Sequence, residues 1–297
     1  MKKWGLLLPF ALFIVFIFNI LPISQDKVDI QKEIKKYEQN DKDTSGDKMA
    51  TKNIQKIEIT EEQIYQGNLL LVNNEHPVHQ KSIKPDVINL FTHKELIKGY
   101  GLLDSEIKLS EEIAEKFSEM ISDAEKDGVC HFLISSGFRD LDEQSRLYEE
   151  MGSDYALPAG QSEHNLGLAL DVGYTQMEMD KAPEGKWIEK NSWEYGFILR
   201  YPLDKTDVTG IQYEPWHIRY VGLSHSAIMQ EMNLALEEYL DYLKEEKSIS
   251  VSVNGKKYTI SYYPISQNET IEVEVPANEH YEISGNNVDG VIVTTFS

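Results

Sequence analysis

An α+β domain over residues 57–247, followed by a small β appendage over residues 248–297, is the fold class that the sequence predicts. Three observations carry this reading. Apolar residues at helical spacing mark two long stretches, 113–124 and 228–243. Short apolar runs with strand composition, at 129–134, 166–172 and 216–221, lie between them. Beyond Lys247 the period changes to two: Ile249, Val251 and Val253 alternate with serine, and similar stretches follow at 258–263, 271–275 and 291–293.

The chain opens Met-Lys-Lys, and Trp4 to Ile23 then supply twenty residues without a charge. That length crosses a hydrocarbon core, and the lysine pair stands where cytoplasmic charge belongs. Residues 1–23 are therefore expected to form a membrane anchor, with a cleaved signal peptide as the alternative. Leu21-Pro22-Ile23-Ser24 is a poor cleavage site, and no cysteine follows for a lipid anchor. The expected location is the cell membrane, with the folded domain on the extracellular face. Residues 24–56 are rich in Lys, Asp, Glu, Gln and Ser and read as a polar tether. Within it, Asp41 to Asp47 imitates the opening of a calcium loop. Lys52 stands where the bidentate Glu should be, so the run is read as solvated charge.

From Ile57 onwards each element has a local reason. Thr60 and Gln63 make a capping box for a short helix, and Asn68 to Val72 reads as a strand. Ser110 caps a helix whose apolar stripe is Ile113, Phe117, Met120, Ile121 and Ala124, with Gly128 beyond its end. After the 129–134 strand, Asp140 and Glu143 open a second helix. Strands at 166–172 and 216–221 precede one long helix running from Ser224 through Ile228, Met232, Leu236, Leu240 and Leu243. The tail is expected to pack as a small sheet beside that helix, since a short β segment has little room for a core of its own.

Lys plus Arg is 29 and Asp plus Glu is 50, a formal charge of −21. So acidic a chain has no electrostatic footing on DNA or RNA, and no nucleic-acid partner is expected. Cys130 is the one cysteine, which excludes a disulfide framework and a cysteine-rich metal site within the chain.

Chemistry concentrates in two segments, Ser162-Glu-His164-Asn-Leu-Gly167-Leu-Ala169-Leu-Asp171 and Glu214-Pro-Trp216-His217. Hydrolytic zinc takes three protein ligands, typically His nitrogens and a carboxylate, and keeps one position open. His164, Asp171 and His217 supply that set. A turn at Gly167 feeding a strand that ends in Asp171 would bring the first two together. A carboxylate inside Leu-Ala-Leu-Asp-Val is costly to bury without a cation beside it. Glu214, three residues before His217, is placed to take a proton from water without being a ligand. His76, His79, His93, His131, His225 and His280 lack such partners and are assigned no role.

These segments, with Ser136-Gly137-Phe138-Arg139 and Gln144, resemble the zinc D,D-carboxypeptidases of the VanY type, within the D-Ala-D-Ala peptidase and hedgehog-like superfamily. The resemblance covers roughly 57–243, with Phe138 where the family carries Tyr. It implies a hedgehog/D,D-peptidase-like zinc domain, an antiparallel sheet with flanking helices. It also implies one Zn2+ on His164, Asp171 and His217, Glu214 as catalytic base, and Arg139, Gln144 and Ser162 at the substrate. The implied partner is a peptidoglycan precursor or muropeptide stem ending in D-Ala-D-Ala, which loses its terminal D-alanine. Removing that residue removes the glycopeptide target, so a contribution to vancomycin resistance is implied as well. An L,D-carboxypeptidase or a D-Ala-D-Ala dipeptidase on the same fold is the alternative, because stereopreference lies in pocket shape. A zinc-containing wall-binding module is another, against which the acid at Glu214 argues. Arginine's planar fork suits a free carboxylate, and Arg139 sits just before a helix start. The chain's other arginines, Arg146, Arg200 and Arg219, are read as surface or structural.

Overall fold

The computed structural model describes residues 28–31, 53–152 and 156–297. The anchor expected at 1–23 and most of the tether, including the Asp41 to Asp47 run, lie outside the described residues. Among those described, no helix is long and apolar enough to cross a membrane.

In chain order the first elements are β1 (Val28–Gln31), β2 (Ile54–Thr60), β3 (Val87–Asn89), β4 (Tyr100–Leu102) and β5 (Lys108–Ser110). Next come α1 (Glu111–Lys126), β6 (Phe132–Ser136), α2 (Leu141–Met151), β7 (Ala169–Tyr174), α3 (Pro183–Asn191) and β8 (Phe197–Leu199). Then follow α4 (Thr206–Thr209), β9 (His217–Tyr220), α5 (Leu223–Met232) and α6 (Leu236–Glu246). The chain closes with β10 (Ser248–Val253), β11 (Lys256–Pro264), β12 (Thr270–Pro276), β13 (His280–Gly285) and β14 (Gly290–Phe296).

The site is built on a five-stranded sheet ordered β4-β6-β7-β9-β8, antiparallel except where β4 meets β6. Its core face meets α1, whose Ile113, Phe117, Met120, Ile121 and Ala124 are all fully buried. Each large side chain so buried stabilises the fold by about 1.5–3 kcal/mol. Local chemistry starts both helices as read: Ile113 N donates to Ser110 Oγ at 3.4 Å, and Glu143 N to Asp140 Oδ1 at 2.8 Å. Leu170, Val172 and Ile218 point into the same core. Because strand side chains alternate, Asp171 turns to the opposite face, directly across from His217 on β9.

Four readings need correction. Among the described residues Asn68 to Val72 pairs with no strand, although Leu69 to Val72 are buried. Side chains and loop carbonyls take the place of a ladder: Arg219 Nη2 donates to Asn68 O and Leu70 O, Leu69 N donates to Ser284 Oγ, and Leu71 N to Asn286 O. The long helix is two, α5 and α6, broken at Asn233, which adopts the left-handed conformation (φ 51°) that asparagine tolerates at a C-terminus. The apolar period runs through the break because both helices cover one sheet. β7 does not end at Asp171 but continues to Tyr174.

The fourth correction concerns the tether. Val28–Gln31, read as tether, pairs antiparallel with β10 and joins a sheet ordered β1-β10-β11-β14-β13. β12 leaves that sheet to pair with β2 at the domain's start. Ile249, Val251, Val253, Ile260 and Ile292 share one core with Ile228, Leu236, Tyr239 and Leu243 of α5 and α6. The tail thus packs beside these helices as expected and shares their core. His225 pins the layers together, with Nδ1 2.7 Å from Tyr239 Oη and Nε2 3.2 Å from Thr294 Oγ1. Burial pushes its pKa down to about 3, so it serves as a neutral hydrogen-bonding group.

Candidate active site

His164 lies on a 3-10 turn, Glu163–Leu166, that Ser162 opens by accepting from His164 N at 3.4 Å. Gly167 closes the turn at φ 83°, a conformation suited to glycine, and swings the chain into β7. The His164 ring is locked by Gly137 O, 2.6 Å from Nδ1. Gly137 is needed there, since a Cβ would lie 2.1 Å from Lys108 O. With Nδ1 taken, Nε2 is the nitrogen that faces Asp171, at 3.4 Å from Oδ2. His217 uses its other edge: Nδ1 lies 3.3 Å from Asp171 Oδ1 and 3.4 Å from Glu214 Oε2. One ligand atom each from His164, Asp171 and His217 falls within 4.8 Å of the others. The structure thus brings together all three residues singled out as ligands, with Glu214 beside them.

The electrostatics suit a cation. Burial favours a protonated Asp171, yet His164 and His217 outweigh it and hold the carboxyl well below its usual range. Burial likewise disfavours charge on His217, but Asp171, Glu163 and Glu214 around it drive its pKa well up. His164 is pushed down, by burial first and then by Arg139, which keeps the imidazole neutral as a ligand must be. Asp171 Oδ1 is buried without a hydrogen-bond partner. Two imidazoles and a carboxylate with an orphaned oxygen fit a divalent metal of the zinc type.

Arg139 is held by three neutral acceptors. Nε donates to Gln144 Oε1 at 2.8 Å, Nη1 to Ser136 Oγ, and Nη2 to Ser162 Oγ at 3.4 Å. Among the described residues no carboxylate forms an ion pair with it. Gln144 and Ser162, expected at the substrate, both accept from Arg139. Gln144 is buried and donates its amide nitrogen to Leu157 O at 2.6 Å, which fixes its oxygen on Arg139. Arg139→Lys is expected to lower kcat/KM by about 10- to 100-fold, the equivalent of one or two charged hydrogen bonds. The melting temperature should stay within a few degrees. Wild-type kinetics would show that Arg139 touches nothing that reacts.

Of the two readings open for Arg200 and Arg219, surface or structural, the structure takes the second: both are fully buried, and both bind the carboxylate of Glu163, which carried no assignment. The available signal was composition, since four arginines among 29 basic residues all fall in the motif-bearing stretch. Tyr201, also unassigned, packs its ring 4.8 Å from that of His217 and under Arg200 at 4.9 Å.

Comparison with known proteins identifies the family. The VanY family model, described as D-alanyl-D-alanine carboxypeptidase, matches residues 106–223, a span containing every residue of the cluster. A D-alanyl-D-alanine carboxypeptidase of Enterococcus faecium is 63% identical over 100% of this chain and 97% of its own length. The bifunctional D-Ala-D-Ala dipeptidase and carboxypeptidase VanXYC of Enterococcus gallinarum is 36% identical over 60% of this chain and 96% of its own. Among solved structures, the vancomycin resistance D,D-dipeptidase VanXYg, in complex with a D-Ala-D-Ala phosphinate analogue, superposes with a TM-score of 0.71. It is 30% identical and covers 82% of this chain and 99% of that one. With a relative this similar along its whole length and a cluster of this geometry inside the matched span, the chain belongs to the VanY family of D-alanyl-D-alanine carboxypeptidases.

Proposed function

We propose that the protein is a zinc D,D-carboxypeptidase that removes the C-terminal D-alanine from peptidoglycan stem pentapeptides. The observation that carries this reading is the convergence of His164, Asp171 and His217 within 4.8 Å, with Glu214 against His217 and Arg139 held on Gln144, Ser136 and Ser162. Zn2+ on those three side chains supplies Lewis acidity and makes water easier to deprotonate. The rest is done by the chain. Glu214 takes the proton from the attacking water and returns it to the amine of the departing D-alanine. Arg139, clamped by Gln144, Ser136 and Ser162, offers its fork to the negative oxygens of the substrate. Because its geometry is set beforehand, little reorganisation is needed at the moment of reaction.

A second activity has support of its own: the D,D-dipeptidase that superposes at a TM-score of 0.71 spans 82% of this chain. Cleavage of free D-Ala-D-Ala by the same centre belongs in the reading. Residues 1–23 are proposed to hold the enzyme on the outer face of the cell membrane, on the strength of their twenty uncharged residues behind a lysine pair. Trimming the D-Ala-D-Ala terminus there would contribute to glycopeptide resistance.

Mass spectrometry of pentapeptide, tetrapeptide and free D-Ala-D-Ala, incubated with the membrane fraction of expressing cells, tests these points together. The expected result is loss of one D-alanine from pentapeptide, abolished by chelator and restored by Zn2+. Release from tetrapeptide alone would replace the reading with an L,D-carboxypeptidase. Activity confined to the soluble fraction would remove the anchor.

A further inference from the structure

Glu163 sits between Ser162 and His164 with its side chain fully buried, a costly place for a carboxylate that is not paired. Oε1 is shared by Arg200 Nε at 2.8 Å and Arg219 Nη1 at 2.7 Å. Oε2 points elsewhere: it faces His217 Nε2 at 3.6 Å, and both of these atoms are buried without a hydrogen-bond partner. That separation lies just beyond hydrogen-bond length. The opposite ring edge, Nδ1, faces Asp171 and Glu214. His217 thus stands between a carboxylate on one side and the ligand cluster on the other.

His164 shows the same division with a different partner, since its outward nitrogen meets a neutral backbone carbonyl, Gly137 O. A histidine that binds metal through one nitrogen donates through the other, and the acceptor there sets both tautomer and ring plane. Glu163 is itself anchored from two directions. Arg200 reaches on to Glu237 of α6 with a two-toothed contact at 2.9 and 2.6 Å, and Arg219 ties to the backbone of Asn68 and Leu70.

We infer that Glu163 is the positioning residue of the metal centre: its Oε2 accepts Nε2–H of His217 and presents Nδ1 to the ion, while Arg200 and Arg219 hold the carboxylate still. The inference rests on His217 being a ligand, as proposed above. It extends that reading by giving the buried charge cluster a task in the site rather than in the scaffold alone.

Three measurements on full-length variants test it: zinc affinity by competition with a chromophoric chelator, the visible spectrum of the Co2+-loaded protein, and melting of the apoprotein. Glu163→Gln is expected to bind zinc about 10- to 100-fold more weakly and to shift the Co2+ spectrum. Glu237→Gln breaks the same chain of charges away from His217. It should lower the melting temperature and leave zinc affinity unchanged, a contrast that a purely structural role for Glu163 would not produce. Glu163→Asp keeps the charge but draws it back by one methylene. It carries the test if the Gln variant does not fold, with weaker zinc binding again expected. Wild-type zinc affinity in a folded Glu163 variant, or an equal loss in Glu237→Gln, overturns the inference. His217→Ala separates the two levels. Zinc lost there but held normally by the Glu163 variants refutes positioning alone, whereas zinc retained in His217→Ala refutes the ligand assignment and the inference with it.

Discussion

Glu214→Gln is expected to abolish turnover while the protein keeps its zinc and its fold. The carboxylate lies 3.4 Å from His217 Nδ1 and 28% of its side chain is exposed, so it stands at the rim of the cluster. Its backbone is held independently: Glu214 N donates to Tyr201 O at 3.0 Å, and Glu214 O accepts from His217 N at 3.2 Å. Glutamine preserves shape and those contacts but cannot take a proton from water. Loss of a general base typically costs about 10²- to 10⁴-fold in rate. The effect should fall on kcat and on kcat/KM alike, because the interaction is made only as the proton moves. Kinetics on a pentapeptide with metal analysis of the same sample reads this directly. Unchanged kcat would refute Glu214 as the base, and loss of zinc would make it a ligand.

Truncation after Lys247 is expected to leave a chain that neither folds cooperatively nor remains soluble. Ile249, Val251, Val253, Ile260, Val291, Ile292 and Val293 are each no more than 2% exposed. At about 1.5–3 kcal/mol per side chain, their burial exceeds roughly 10 kcal/mol. That rivals the whole stability of a typical domain, about 5–15 kcal/mol. The cut would also bare the faces of α5 and α6 carrying Ile228, Leu236, Tyr239 and Leu243, and strand the neutral His225 without Thr294. β2 would lose β12, its partner in a two-stranded ribbon. Soluble yield and thermal melting by circular dichroism check this. A truncated protein that melts cooperatively near the wild-type temperature, with zinc bound, would show that the tail is separable after all.

What proved legible along the chain was whatever a few neighbouring residues decide. Ser110 and Asp140 cap their helices through contacts three residues long. Gly167 turns the chain where only a small, permissive residue turns easily. The spacing of His164, Asp171, Glu214 and His217 announced a hydrolytic metal site because few other chemistries need two imidazoles and two carboxylates so arranged. The break at Asn233 was not legible, since the apolar period passes through it without interruption. Nor was the loss of a strand at Leu69 to Val72, whose backbone is satisfied by Arg219, Ser284 and Asn286 from remote parts of the chain.

The sequence by itself therefore determined the helix starts and the alternating tail, which are short-range properties, and the net charge and the candidate site residues, which are read from composition and motif. Tertiary structure alone decided which strand β1 joins, that the helical stretch breaks into α5 and α6 over one core, and that Gln144 and Ser162 accept from Arg139. It also decided that Glu163 lies between Arg200 and Arg219 with an oxygen left for His217. Glu163 and Arg200 are 37 residues apart. A buried ion pair leaves no periodicity in the chain, because its energy depends on desolvation and distance, and neither exists until the sheet has closed around it.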